Sequence, residues 1–326
     1  MKKEQMLQIN QWISSKFCFL VVGSMILGLL FPGFFVRLRS GVNTLLAVTM
    51  FTMALSCRFS DFGQVARLWK RLALILAISY GIIPLFALSL GKIILPSEPS
   101  LAAGLVLISL LPVAVTSAFW TETNGGSLPV TLSIISTTTL LSGLIIPVLM
   151  HLYVGAIVEF DSTALVIGLV KNVLIPVIIG IGVNQCFPDS TKAAKPYLDV
   201  GVKICLFLVI AINAAVIVPY LEQMGRVLLG VILAIIIHIL ACYIVGYCAS
   251  RLVFPHRPDI QISILYTGAM RNNSAGIAIA LAYFSPMVAV PVILSILFQQ
   301  PMAALVTAVL NKMTRESRLA DFPTTN

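Results

Sequence analysis

Long apolar runs alternate with short polar or Pro/Gly segments along the whole chain. Ten such runs cover 17–36, 41–57, 72–95, 101–120, 128–154, 163–185, 200–220, 227–250, 260–284 and 286–311. Each has about the 20 residues that a helix needs to cross the hydrocarbon core of a bilayer. The pattern predicts an all-α polytopic membrane protein of ten transmembrane helices. Two runs depart from it. The fourth holds Pro112-Val-Ala-Val-Thr116-Ser117 and ends in Thr121-Glu122-Thr-Asn-Gly-Gly. The ninth carries Met270-Arg271-Asn272-Asn273-Ser274 at its centre. An arginine at mid-membrane costs roughly 2.5–3.5 kcal/mol on insertion scales, so this segment must face a polar interior rather than lipid.

Composition agrees with the pattern. Of 326 residues, 59% are hydrophobic and 10% are charged, whereas a soluble domain carries about 25% charged residues. The first run starts late and lacks a small-x-small cleavage site, so it reads as a retained helix rather than a signal peptide. The net charge of +9 is distributed in a way that orients the chain. With the N-terminus inside, fourteen basic residues fall in inside segments and four (Arg37, Arg39, Lys92 and Arg226) outside, while Lys171, Lys203 and Arg271 lie within runs. The excess predicts both termini in the cytoplasm of a multi-pass plasma (bacterial inner) membrane protein. The lipid bilayer is then its surroundings, and no nucleic-acid partner is expected. The six cysteines are scattered through apolar segments without C-x-x-C pairs. They read as small packing residues, and no metal or other cofactor is expected.

Ten helices divide into two fives, 1–157 and 158–326, the second inverted relative to the first. Inverted repeats are a recurrent plan of secondary transporters, with the site where interrupted helices meet at the midplane. The corresponding positions here are helices four and nine, and both polar interruptions fall there. Candidate substrate-binding residues are therefore Thr116, Ser117, Arg271, Asn272 and Asn273. Arg271 has three readings: a fork for an anionic substrate, a permanently charged stand-in for a bound cation, or a buried arginine holding the carbonyls of broken helices. Glu122, just past the fourth interruption, is a candidate for proton coupling or simply a loop residue. The hydroxyl run Thr131, Ser133, Ser136, Thr137, Thr138 and Thr139 fits close helix packing. His238 fits an interhelical hydrogen bond, and Lys171 and Lys203 snorkel or face the interior.

Four stretches, in order, resemble the bile acid–sodium symporter family. They are Met53-Ala54-Leu55 with Phe59-Ser60-Asp61-Phe62, the Pro84 region, Pro112 through Pro147, and Thr267-Gly-Ala-Met270-Arg271-Asn272. The resemblance implies a panel of helices 1, 2, 6 and 7 and a core of helices 3–5 and 8–10, with helices four and nine crossed at their breaks. Substrate would bind between the two and move by alternating access. It also implies two sodium sites, at positions held here by Ser79, Ser117, Ala118, Thr131, Ile135, Thr267, Met270 and Arg271. Ala118 stands where the family has asparagine, Ile135 for a threonine, Thr267 for the glutamate that serves both sites, and Arg271 and Ser79 for glutamines. Loss of the carboxylate and gain of a guanidinium predict weak or absent sodium dependence. The fixed positive charge favours a small organic anion as substrate.

Three other functions fit less of the sequence. An arsenite-exporter-like efflux protein shares an Asn-Asn in helix nine and would rely on Cys57. A channel would use paired interruptions as a pore. An intramembrane enzyme would need a catalytic motif, and the chain has no H-E-x-x-H or G-x-S-x-G, so no catalytic residue is assigned.

Overall fold

Prolines set where many of the helices begin. Their fixed φ and missing N–H suit the first helical turn, and α6 (Pro99–Leu110), α8 (Leu128–Val154), α11 (Pro188–Ile217) and α13 (Pro258–Ala269) each carry proline there. The computed structural model describes residues 3–55, 62–156, 158 and 161–320. Before α6 run α1 (Lys3–Ser15), α2 (Phe17–Leu30), α3 (Pro32–Val36), α4 (Val42–Ala54) and α5 (Phe62–Ile94). The remaining helices are α7 (Thr116–Thr123), α9 (Ser162–Leu169), α10 (Ile175–Cys186), α12 (Leu221–Val253), α14 (Asn273–Tyr283) and α15 (Pro286–Ala320). Cys57 and Phe59-Ser60-Asp61 lie in 56–61, outside the described residues.

Among the described residues, six stretches are long and apolar enough to cross a membrane by length and composition: Leu68–Ile94, Leu128–Val154, Thr163–Cys186, Pro188–Val216, Val227–Val253 and Pro286–Lys312. Together with the shorter apolar helices they make this an integral, multi-helix membrane protein. The other four expected runs are not uniform spans. Runs one and two contain α2 and α4, of 14 and 13 residues. Runs four and nine are split into α6 with α7 and α13 with α14. Run six is continuous but bulged, with a π-helical turn at Val170–Leu174, where Asn172 Nδ2 donates to Tyr283 Oη at 2.8 Å. One helix has no counterpart among the ten runs. This is α1, which buries Met6 and Ile13 against Val200 of α11.

The helices pack in two groups. One contains α2, α3, α4, α10 and α11, and the other α5, α6, α8, α12, α13 and α15, while α14 packs on both α4 and α15. The second group depends on close backbone approach. A Cβ on Gly104 of α6 would lie 2.4 Å from the carbonyl oxygen of Val288 and 2.9 Å from Pro291 Cγ. Gly104→Val should force α6 from α15 and lower the unfolding free energy by about 1–3 kcal/mol, read as a lower thermal midpoint in detergent. Gly182→Ala, where a Cβ meets nothing within 4 Å, should leave the midpoint in place.

Candidate functional site

The two interruptions are made differently. Pro112 disfavours helical geometry in the residue before it, and Leu111 is extended at φ −63°, ψ 149°. The second break has no proline, yet Met270 is extended at φ −93°, ψ 107°. What holds it is pairing with the first. Val113 and Arg271 form an antiparallel bridge, with Ala114 N donating to Met270 O at 2.9 Å and Asn272 N to Pro112 O at 2.8 Å.

Side chains from two further helices complete the account. Thr138 Oγ1 of α8 accepts from Val113 N at 3.2 Å. Gln299 Oε1 of α15 accepts from Arg271 N at 3.0 Å and from Asn273 Nδ2 at 3.1 Å. Its neighbour Gln300 accepts from Trp120 Nε1 at 2.9 Å. Irregular backbone at membrane depth is tolerated when its polar groups find such partners. The Gln299-Gln300 pair was the missed signal, two amides inside an otherwise apolar run. Within the hydroxyl run, Thr138 serves the break, while Ser133 bonds back to its own helix.

The breaks divide the surroundings by polarity. The C-terminal ends of α6 and α13 face one side and the N-terminal ends of α7 and α14 the other. Helix C-termini carry partial negative charge and N-termini partial positive charge. Arg271 is 2% exposed and lies between the two, lining both the crevice at the N-termini and a small cavity at the C-terminal end of α13. Its Nη1 donates to Leu111 O at 3.2 Å, and its guanidinium sits 5.6 Å from the Tyr80 ring centroid. Nε and Nη2 are buried without a protein partner, as is the Tyr80 hydroxyl. Beside Arg271 a cavity of about 10 Å³ is lined by Ser79, Val113, Ile134 and Thr267 among others. That is about one water's worth of space.

A cation needs free oxygen donors, and the positions that the family resemblance aligns with sodium ligands offer few. Thr267 Oγ1 donates to Ser263 O on its own helix at 2.8 Å. Thr131 Oγ1 bonds Thr121 Oγ1 at 3.1 Å. Ala118 and Ile135 belong to an apolar cluster with Val113 and Val130. Met270 is fully buried, and Ser117 is buried with its hydroxyl unpartnered. Among the described residues no carboxylate pairs with Arg271, and no three His, Cys, Asp or Glu side chains cluster together. This donor set does not fit two sodium ions.

On the N-terminal side opens a crevice of about 860 Å³, in the range of small-molecule sites. Thr116, Asn272, Asn273 and Ser274 line it at the helix N-termini, with Gln299 and Gln300 from α15. Asn272 caps α14, accepting from Ala275 N at 3.3 Å, and donates to Met53 Sδ at 3.1 Å. Arg271 also contributes to this lining, as do Phe19, Met53, Phe119, Trp120 and Lys203. Glu122 is exposed on α7, outside this lining, and so is buried Ser117.

Residues 43–223 match the family described as the Sodium Bile acid symporter family. The chain belongs to that family. It is therefore a membrane transporter of the bile acid symporter type. A relative from Bacillus subtilis, the uncharacterized protein YbaS, is 33% identical over 89% of this symporter-family chain and 94% of its own. The uncharacterized sodium-dependent transporter YocS of the same organism is 27% identical, covering 87% of each. The probable sodium/metabolite cotransporter BASS2 of Oryza sativa subsp. japonica is 28% identical over 89% of this chain and 68% of its own.

Proposed function

We propose that this symporter-family member is a secondary active transporter of a small organic anion that works without sodium coupling. The observation that carries this is the sidedness of the two breaks. The crevice receives the N-termini of α7 and α14 and the cation Lys203, and no described carboxylate lines it. That is an environment for an anion. On the opposite side, the Arg271 guanidinium lies beside Ser79 and Thr267, where the family resemblance puts a sodium site. The arginine acts there as a tethered cation, offsetting the carbonyl ends of α6 and α13 that an ion would otherwise meet. Thr116, Asn272 and Asn273 contact the substrate, and Arg271, in the same lining, adds its positive charge behind them.

In this reading residues 1–157 and 158–326 are inverted repeats. The group around α11 is the panel and the group around α6 the core. Rocking of one against the other alternates access to the crevice, and both termini are cytoplasmic. The relatives named as sodium-dependent transporter or sodium/metabolite cotransporter would differ from this chain in their coupling.

The test is thermal stabilisation of the purified protein by acetate, phenylacetate and cholate, in sodium chloride and in choline chloride. An anion at 100 times its dissociation constant should stabilise by about 2.7 kcal/mol, equally in both salts. Stabilisation by any of these anions that appears only with sodium would overturn the sodium-independent reading. The absence of any anion response would overturn the substrate class.

A further inference from the structure

Lys203 is the one charged side chain that α11 brings to the crevice. Its ammonium is held at the same time by the N-terminal helix: Nζ donates to Asn10 O at 3.2 Å and to Asn10 Oδ1. The sequence periodicity explains why these two residues meet. Met6, Asn10 and Ile13 share one face of α1, and Val200, Lys203 and Phe207 share one face of α11. Met6, Ile13 and Val200 form a buried apolar cluster with Phe207 packed against it. The polar pair thus sits in the middle of an otherwise apolar helix contact. For docking α1 alone, a leucine at position 203 would bury more apolar surface and avoid desolvating an ammonium. Asp199, one turn away on α11, is engaged by Lys195 at 3.7 Å.

We propose that Lys203 is the charge-selecting residue of the crevice, shared between Asn10 and the acid group of the transported anion. This rests on the anion reading above and names the residue that reads the substrate's charge. The crevice sets the half-buried Lys203 ammonium near the apolar surfaces of Phe19, Phe119 and Trp120, with Arg271 also in its lining. An organic anion then binds with its acid group towards Lys203 and its hydrocarbon body against the aromatic side chains. The substrate's carboxylate competes with the Asn10 amide oxygen for the same N–H donors. A charged acceptor makes the stronger bond, so substrate wins Lys203 from α1 on binding.

Competition makes a prediction that a merely structural Lys203–Asn10 pin does not. Phenylacetate and its uncharged amide, phenylacetamide, are titrated against the full-length protein by thermal shift. Lys203→Gln should weaken phenylacetate binding about tenfold while leaving phenylacetamide unchanged, and Lys203→Arg should restore most of the loss. Asn10→Ala should tighten phenylacetate several-fold, although it lowers the thermal midpoint of the ligand-free protein. If Asn10→Ala leaves phenylacetate affinity unchanged or weaker, or if Lys203→Gln binds it as the native protein does, the proposal is wrong and Lys203 is a pin for α1. Failure of phenylacetate and cholate to bind the native protein at all would instead remove the anion reading on which it rests.

Discussion

Changing Thr267 to Glu and Arg271 to Gln together should give this transporter a far stronger sodium dependence than the native chain shows. The double variant returns a carboxylate to the position where the family resemblance implies one, and takes the fixed cation away. Arg271 is 2% exposed and lies with Ser79 and Thr267 around one small cavity. A sodium ion at about 4 Å from it would be repelled by ~4 kcal/mol at an effective dielectric of 20. Removing that repulsion is worth a factor on the order of 10³ in sodium affinity, before the added carboxylate contributes. The measurement is anion-induced thermal stabilisation in sodium chloride against choline chloride. The native protein should give a ratio near one and the double variant a strong sodium preference. Thr267→Glu alone should stay insensitive, because its carboxylate would pair with Arg271 instead of an ion. A native protein as sodium-responsive as the double variant would refute the tethered-cation reading.

The sequence showed where the helices break but not what holds the breaks. Pro112 and the polar run at 270–274 mark the ends of α6 and α13 within a residue or two, because proline and clustered amides are local signals. The partners of those breaks, Thr138 and Gln299, are 25 and 28 residues away. A hydroxyl or amide in an apolar run reads the same whether it packs, bonds its own helix or serves another. Direction was equally hidden. Arg271 was legible as a residue that avoids lipid, yet nothing local decides whether its fork faces the crevice or Tyr80. That depends on α5 lying behind the crossing. Helix α1 escaped because an amphipathic helix that buries Met6 and Ile13 on α11 leaves no apolar run. Without α1 in view, Lys203 looked like one more lysine in a long helix.

The same distant partnership sets up the largest stability effect expected of a single substitution here. Gln299→Leu keeps a buried side chain of similar bulk but removes the acceptor that serves both Arg271 N and Asn273 Nδ2. Asn273 is already short of partners, its Oδ1 being buried and unpaired. Each donor left without an acceptor costs about 1–3 kcal/mol, so the variant should lose roughly 2–6 kcal/mol of unfolding free energy. Gln299→Glu is the informative counterpart. Its carboxylate can accept the same two hydrogen bonds, so the fold should survive. It also introduces the negative charge that the described crevice lining lacks, so anion binding should fall sharply. Thermal midpoints and phenylacetate titrations of the two variants separate holding the break from tolerating the anion. If Gln299→Leu melts with the native protein, the crossing is held without Gln299, by the Val113–Arg271 backbone bridge and Thr138. If Gln299→Glu binds phenylacetate as well as the native chain does, the anion does not sit at the N-termini of α7 and α14.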